Sequence, residues 1–144
     1  MMTQAKLAQA REALGDLRDN LAKLSRNPLV LSVEDDRQDE NFLKKKLQPF
    51  RVDLETCGTS KDAIELLKRK HFEVVLLDLR LDGGSGLDIL SFAEAEKIKS
   101  YFIVLTGMDD GDPMISEAMS RGAHFVLQKP ISEDHLRLIF GTIS

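Results

Sequence analysis

From Pro28 onward, strand-sized apolar runs alternate with stretches of helical periodicity five times over, and this constrains the chain more than any other feature of it. Leu29–Val33, Val52–Thr56, Phe72–Leu77, Tyr101–Leu105 and Phe125–Leu127 read as strands. Between and after them come helical patterns carried by Phe42, Leu43, Leu47 and Phe50, then Ala63, Ile64, Leu66 and Leu67, then Leu87, Ile89, Leu90 and Phe92, then Met114, Ile115, Ala118 and Met119, and finally Leu136, Leu138, Ile139 and Phe140. Consecutive strands separated by helices must run parallel, because a helical crossover returns the chain to the same end of the sheet. The expected fold is therefore α/β, a doubly wound parallel sheet of five strands covered by helices on both faces. Asp36 and Ser60 are candidate N-caps for the first two of these helices, and Gly122 a candidate C-terminal stop for the fourth.

Residues 1–27 carry a different pattern. Leu7, Ala10, Leu14, Leu17, Leu21 and Leu24 recur at alternating steps of three and four, with charged residues on the other faces, so residues 3–25 read as one amphipathic helix ended by Asn27-Pro28. Gly15 interrupts it at a cost of about 1 kcal/mol relative to alanine. The chain thus divides into an N-terminal helix at 1–27 and a domain at 28–144. The seam has two readings: a two-stranded coil that makes the protein a homodimer, or a linker, on one side, and packing onto its own domain on the other. Its narrowness and regularity favour the coil or linker.

In such sheets ligands bind outside the carboxyl ends of the strands, and the chemistry-bearing residues sit there. Glu34 and Asp35 follow the first strand, Asp78 the third, Thr106 the fourth and Lys129 the fifth. Three carboxylates in one pocket repel one another unless a cation intervenes, and a hard divalent ion with oxygen ligands suits them. Mg²⁺ fits best, since it also binds phosphate oxygens. A carboxylate beside it could act as a nucleophile and form an aspartyl-phosphate. Lys129 would then contact a phosphoryl oxygen as a point charge, and Thr106 would offer its hydroxyl.

Other chemistries fit less well. The single cysteine, Cys57, excludes an internal disulfide and suits a cytoplasmic protein; with only three scattered histidines, a zinc site has no ligand set. The net charge of −4 argues against direct nucleic-acid binding, and no apolar run is long enough for a membrane span. Gly83-Gly84-Ser85-Gly86 lacks the Lys-Ser/Thr pair of a nucleotide loop and reads as a turn.

Taken in order, Val33-Glu34-Asp35-Asp36, Leu77-Asp78-Leu79-Arg80-Leu81, Leu105-Thr106-Gly107 and Gln128-Lys129-Pro130 resemble the receiver domains of two-component response regulators, over residues 28–144. The resemblance implies the flavodoxin-like strand order 2-1-3-4-5, with Asp78 as phosphoacceptor. It also implies Mg²⁺ held by Asp35, Asp78 and the Arg80 backbone carbonyl, with Glu34 acting through a metal-bound water. Thr106 and Lys129 would meet the phosphoryl group, and the Lys129–Pro130 bond would be cis. A histidine kinase or phosphotransfer protein would be the donor, and a downstream protein would read the switch. Such a domain is a signalling phosphoacceptor rather than an enzyme. The pattern departs from the family at Val126, where an aromatic is common, with neighbouring Phe125 expected on the opposite face. It departs also at Asp82, which stands where proline is common, at a slightly long loop after Thr106, and at Arg80, which brings a guanidinium near the acids. Val126 and Arg80 leave open a receiver-like binding module that works without phosphate. A nucleotide- or flavin-binding protein on the same fold would carry a bound chromophore or nucleotide. With nothing after Ser144, the chain is either a single-domain regulator or a piece of a longer protein.

Overall fold

The computed structural model describes residues 4–109 and 111–141, with side chains from residue 12 onward. Helix α1 (Gln4–Ala22) leads into strand β1 (Leu29–Val33), helix α2 (Arg37–Leu47), β2 (Asp53–Cys57), α3 (Ser60–Arg69) and β3 (Val74–Leu77). A short ribbon of β4 (Arg80–Leu81) and β5 (Gly84–Ser85) comes next, followed by α4 (Gly86–Ala95), β6 (Tyr101–Thr106), α5 (Pro113–Ser120), β7 (Phe125–Gln128) and α6 (Glu133–Phe140). The five long strands form one parallel sheet in the order β2-β1-β3-β6-β7. With the ribbon set aside, this is the expected order 2-1-3-4-5.

Side-chain alternation along each strand separates two cores. Leu31, Val33, Val75, Leu77 and Val104 face one side and pack with Ala63, Leu67, Ile89, Leu90 and Ala118 of α3, α4 and α5. Their neighbours Val30, Val74, Leu76, Ile103, Leu105 and Leu127 face the other side and meet Leu43, Leu47, Leu136 and Ile139 of α2 and α6. Every residue of β3 is buried, as a central strand covered on both faces requires.

The N-terminal leucine seam is turned inward. Leu14 and Leu17 have no solvent exposure, and Leu21 is buried beside them in the second core. α1 lies along α6, and Asn20 Nδ2 donates to Tyr101 Oη at 2.6 Å. The coil reading is therefore corrected for the described part of the seam: α6 and the sheet leave an apolar strip that α1 of the same chain covers. Leu7 and Ala10 lie outside the described side chains.

Smaller expectations are also revised. Thr59, not Ser60, caps α3, its Oγ1 accepting the Asp62 N–H at 3.1 Å, while Ser60 is buried in the first turn. Phe42, expected on the buried stripe of α2, is 40% exposed. The turn expected here is present at Gly83, φ +71°, and short strands β4 and β5 pair antiparallel on either side of it. Asp36 caps α2, and Gly122 follows α5 at φ +102°, as expected.

Candidate functional site

Parallel register brings the polar residues level. The ladder runs one rung past β1, β3 and β7: Glu34 N–H donates to Cys57 O, Asp78 N–H to Val33 O and Lys129 N–H to Thr106 O, at 3.0, 3.1 and 2.8 Å. Each of these first residues beyond a strand is thus fixed beside the end of its neighbour. Glu34, Asp35, Asp78 and Lys129 converge at that edge because the sheet positions them there.

Carboxylate oxygens of Glu34, Asp35 and Asp78 lie within 4.8 Å of one another, the one such group among the described residues. Lys129 reaches across from the far strand, its Nζ 2.7 Å from Asp78 Oδ2 and 2.7 Å from Glu34 Oε2. Burial opposes the Lys129 charge, yet hydrogen bonds from these carboxylates hold its pKa well above the ordinary lysine range. Burial likewise pushes the Glu34 carboxyl up, against the pull of Lys129 and of the Asp36 N–H. Asp35 Oδ2 accepts the Asp82 N–H at 2.7 Å, and Asp78 Oδ1 accepts the Arg80 N–H at 3.2 Å. A hard cation with oxygen ligands suits this donor set: three carboxylates, two of them only 8% and 14% exposed, balanced by one ammonium.

Thr106 ends β6, buried, and its Oγ1 accepts the Met108 N–H at 3.0 Å. It shares a shallow depression with Asp78, Arg80, Gly107, Asp109 and Asp112. The Arg80 side chain lines the same depression as Asp78, near the acids as the sequence suggested. Its ion partner is Asp112 Oδ2 at 3.4 Å, which ties β4 to the N-cap of α5 at the rim of that depression. Gly86 permits the close approach of α4 to the acid site, since a Cβ there would lie 2.4 Å from the Asp78 carbonyl oxygen. The Lys129–Pro130 peptide is cis, and Val126 and Phe125 pack toward opposite cores. Sequence reasoning missed Asp39 and Asp112. Asp39 stands in the first turn after the Asp36 cap, a position that points back toward the strand ends; Asp112 gives no signal beyond capping α5.

A sequence model of the response regulator receiver domain matches residues 30–140, most of the chain. The chain belongs to this family. Receiver domains are the phosphoacceptor modules of two-component signalling, and this receiver domain carries an acidic cluster. The regulatory protein LuxO of Vibrio cholerae is 36% identical over 106 residues, which are 74% of this chain and 23% of LuxO. The receiver domain thus spans about a quarter of that relative's length. The signal receiver domain of an HD domain-containing protein from Pseudomonas fluorescens Pf-5 superimposes with a TM-score of 0.73 at 25% identity, over 83% of this chain and 88% of that one. The receiver domain of the sensor histidine kinase PA1611 from Pseudomonas aeruginosa PAO1, which has a magnesium ion coordinated in its active site cleft, matches at TM-score 0.72 over 79% of this chain and 94% of that one. At 19% identity that likeness concerns the fold alone. Among the described residues no helix is long and apolar enough to cross a membrane.

Proposed function

We propose that Asp78 is the phosphoacceptor and that phosphorylation switches the affinity of this domain for a downstream protein. The observation that carries this reading is the placement of Asp78: one of its carboxylate oxygens lies within 4.8 Å of one from each of Glu34 and Asp35, and its Oδ2 is 2.7 Å from the Lys129 ammonium. Asp35 and Asp78, with the Arg80 carbonyl, would hold Mg²⁺, and Glu34 would act through a water. When bound, the ion neutralises charge on the carboxylates and on the incoming phosphoryl oxygens.

The phosphodonor in this reading is a phosphohistidine on a histidine kinase or phosphotransfer protein. An Asp78 carboxylate oxygen forms the new P–O bond while the P–N bond breaks, and the departing imidazole nitrogen keeps the electron pair and takes a proton. Lys129 offers an N–H to a phosphoryl oxygen, and Thr106 offers its hydroxyl. Little covalent work falls to the protein, so placement and charge dominate. Water later attacks phosphorus, releasing inorganic phosphate and restoring the carboxylate. The setting is the cytoplasm, where such donors act.

Acetyl phosphate or beryllofluoride with Mg²⁺ tests the assignment. One equivalent is expected to bind wild-type protein, and none Asp78→Asn. Binding that persists in Asp78→Asn, or none in the wild type, would favour a module that works without phosphate.

A further inference from the structure

Lys129 is held by one carboxylate more than the acid cluster supplies. An ammonium has three N–H donors, and each has its own acceptor here: Glu34 Oε2 at 2.7 Å, Asp78 Oδ2 at 2.7 Å and Asp39 Oδ2 at 2.9 Å. Asp39 is not one of the three clustered carboxylates. It comes from the first turn of α2, and its place is set by bonds that lead back to the cluster. Asp39 N–H donates to Asp36 Oδ1 at 3.0 Å, and Asp36 N–H donates to Glu34 Oε1 at 3.0 Å. Lys129 joins Asp39 to Glu34 and closes the ring. The cap that starts α2 therefore also aims Asp39 at the ammonium.

We propose that Asp39 is a positioning residue that occupies the third donor of Lys129 in the unphosphorylated protein and so competes with the phosphoryl group for that ammonium. The inference rests on the reading of Asp78 as phosphoacceptor. An anion arriving at Asp78 needs a donor from Lys129, and all three are taken. Of the three acceptors, the Glu34 and Asp78 side chains are 8% and 14% exposed, whereas that of Asp39 is 47% exposed. Water replaces an exposed partner at the least cost, so the Asp39 bond is the one that yields. Until it yields, its negative charge stands beside the position the anion must enter.

Asp39→Asn keeps the shape and an acceptor oxygen but removes the charge. At saturating Mg²⁺ the half-saturating concentrations of beryllofluoride and of acetyl phosphate are expected to fall by about 2- to 5-fold, the range of an exposed ion pair. Binding of Mg²⁺ alone should stay the same or weaken, since a negative charge near the cluster has gone. A general change in folding would move both affinities together. Asp39→Glu, which restores the charge, should return toward wild type, and the difference between Asp39→Asn and wild type should shrink as salt is raised. Equal anion affinity in Asp39→Asn and wild type, or an Asp39→Glu that matches Asp39→Asn, would overturn the proposal while leaving the role of Asp78 intact. A wild-type protein that binds no beryllofluoride removes both.

Discussion

Lys129 Nζ and Asp78 Oδ2 stand 2.7 Å apart although 51 residues separate them in the chain. With Glu34 also 2.7 Å from the ammonium, Lys129 is the resident counter-ion of the acid cluster. It does before any metal arrives part of what a divalent cation does afterwards.

Removing it should therefore separate two properties. Lys129→Ala leaves Glu34 and Asp78 facing each other without a cation, and a group stripped of its buried partner costs on the order of 1–3 kcal/mol. The melting temperature is expected to drop in the absence of Mg²⁺ and to recover when Mg²⁺ is added. Mg²⁺ should bind at least as tightly as to wild type, because a competing positive charge has gone, while labelling by acetyl phosphate is lost. Scanning calorimetry with and without Mg²⁺, together with a labelling assay, checks all three. Weaker Mg²⁺ binding would contradict the counter-ion role.

Arg80 and Asp112 span the rim of the depression that Asp78 and Thr106 line. Their 3.4 Å contact leaves the Arg80 side chain 69% exposed, so the pair contributes about 0.2–1 kcal/mol. Arg80→Ala opens the approach for water and is expected to shorten the lifetime of the phosphorylated form by up to about fivefold. Asp112→Asn retains a capping side chain for α5 and should reproduce part of the effect. Decay of the labelled protein followed over time decides it; identical rates in all three proteins would refute the link.

The sequence made the sheet, its two covered faces and the site edge legible because each rests on a local signal that repeats: apolar runs of strand length, helical spacing, and a polar residue close after four of the five strands. The ladder bonds of Glu34, Asp78 and Lys129 are what turns that last signal into a shared site. Other features had no local signature. Asp39 meets Lys129 across 90 residues, and only the crossing of α2 over the sheet end makes the contact. The direction of Arg80 depends on where the loop after β6 carries Asp112. The N-terminal seam was misjudged for a related reason: a stripe of leucines specifies that something apolar covers it but not whether that partner is in the same chain.

Gly86 is a position where the backbone itself leaves no room. An added Cβ would lie 2.4 Å from the Asp78 carbonyl oxygen and 3.0 Å from Leu79 Cα, both backbone atoms that cannot swing aside. Gly86→Ala must push α4 off the end of β3 and displace the loop that carries Asp78 with it. A loss of about 1–3 kcal/mol is expected from the forced shift, accompanied by weaker Mg²⁺ binding. Chemical denaturation and a Mg²⁺ titration on the same protein test both halves.

Acid should weaken the tie between the N-terminal segment and the sheet. Glu73 is buried, which opposes its charge, but Arg26 Nη2 at 2.5 Å and the Leu29 N–H at 2.6 Å hold its carboxyl below the usual range. A carboxyl whose folded pKa lies below its unfolded value of about 4.3 adds stability above that value and loses it as pH falls through the folded one. Arg26→Gln removes the ion pair, so the wild type should melt above the variant at neutral pH, and the gap should narrow as pH drops below about 4.3. Melting curves between neutral and acid pH read this directly. A gap that is constant with pH would show that Arg26 acts through packing alone.

α1 carries opposite defects of sequence and packing, and the two can be set against each other. Leu14 and Leu17 are fully buried, and truncating a buried leucine to alanine costs about 2–5 kcal/mol. Gly15, between them in sequence, has nothing within 4 Å of the place its Cβ would occupy, so a methyl group fits without displacing anything. Glycine inside a helix is about 1 kcal/mol worse than alanine. Gly15→Ala should therefore raise the melting temperature by a few degrees, and Leu17→Ala should lower it by more. If α1 served instead as one strand of an intermolecular coil, both shifts would depend on protein concentration, because association of two chains would contribute to stability. With α1 folded along α6 of its own chain, both shifts are expected to be independent of concentration, and the molecular mass by light scattering should be that of one chain. A concentration-dependent melting temperature, or a doubled mass that falls to one chain on removal of residues 1–26, would restore the dimer.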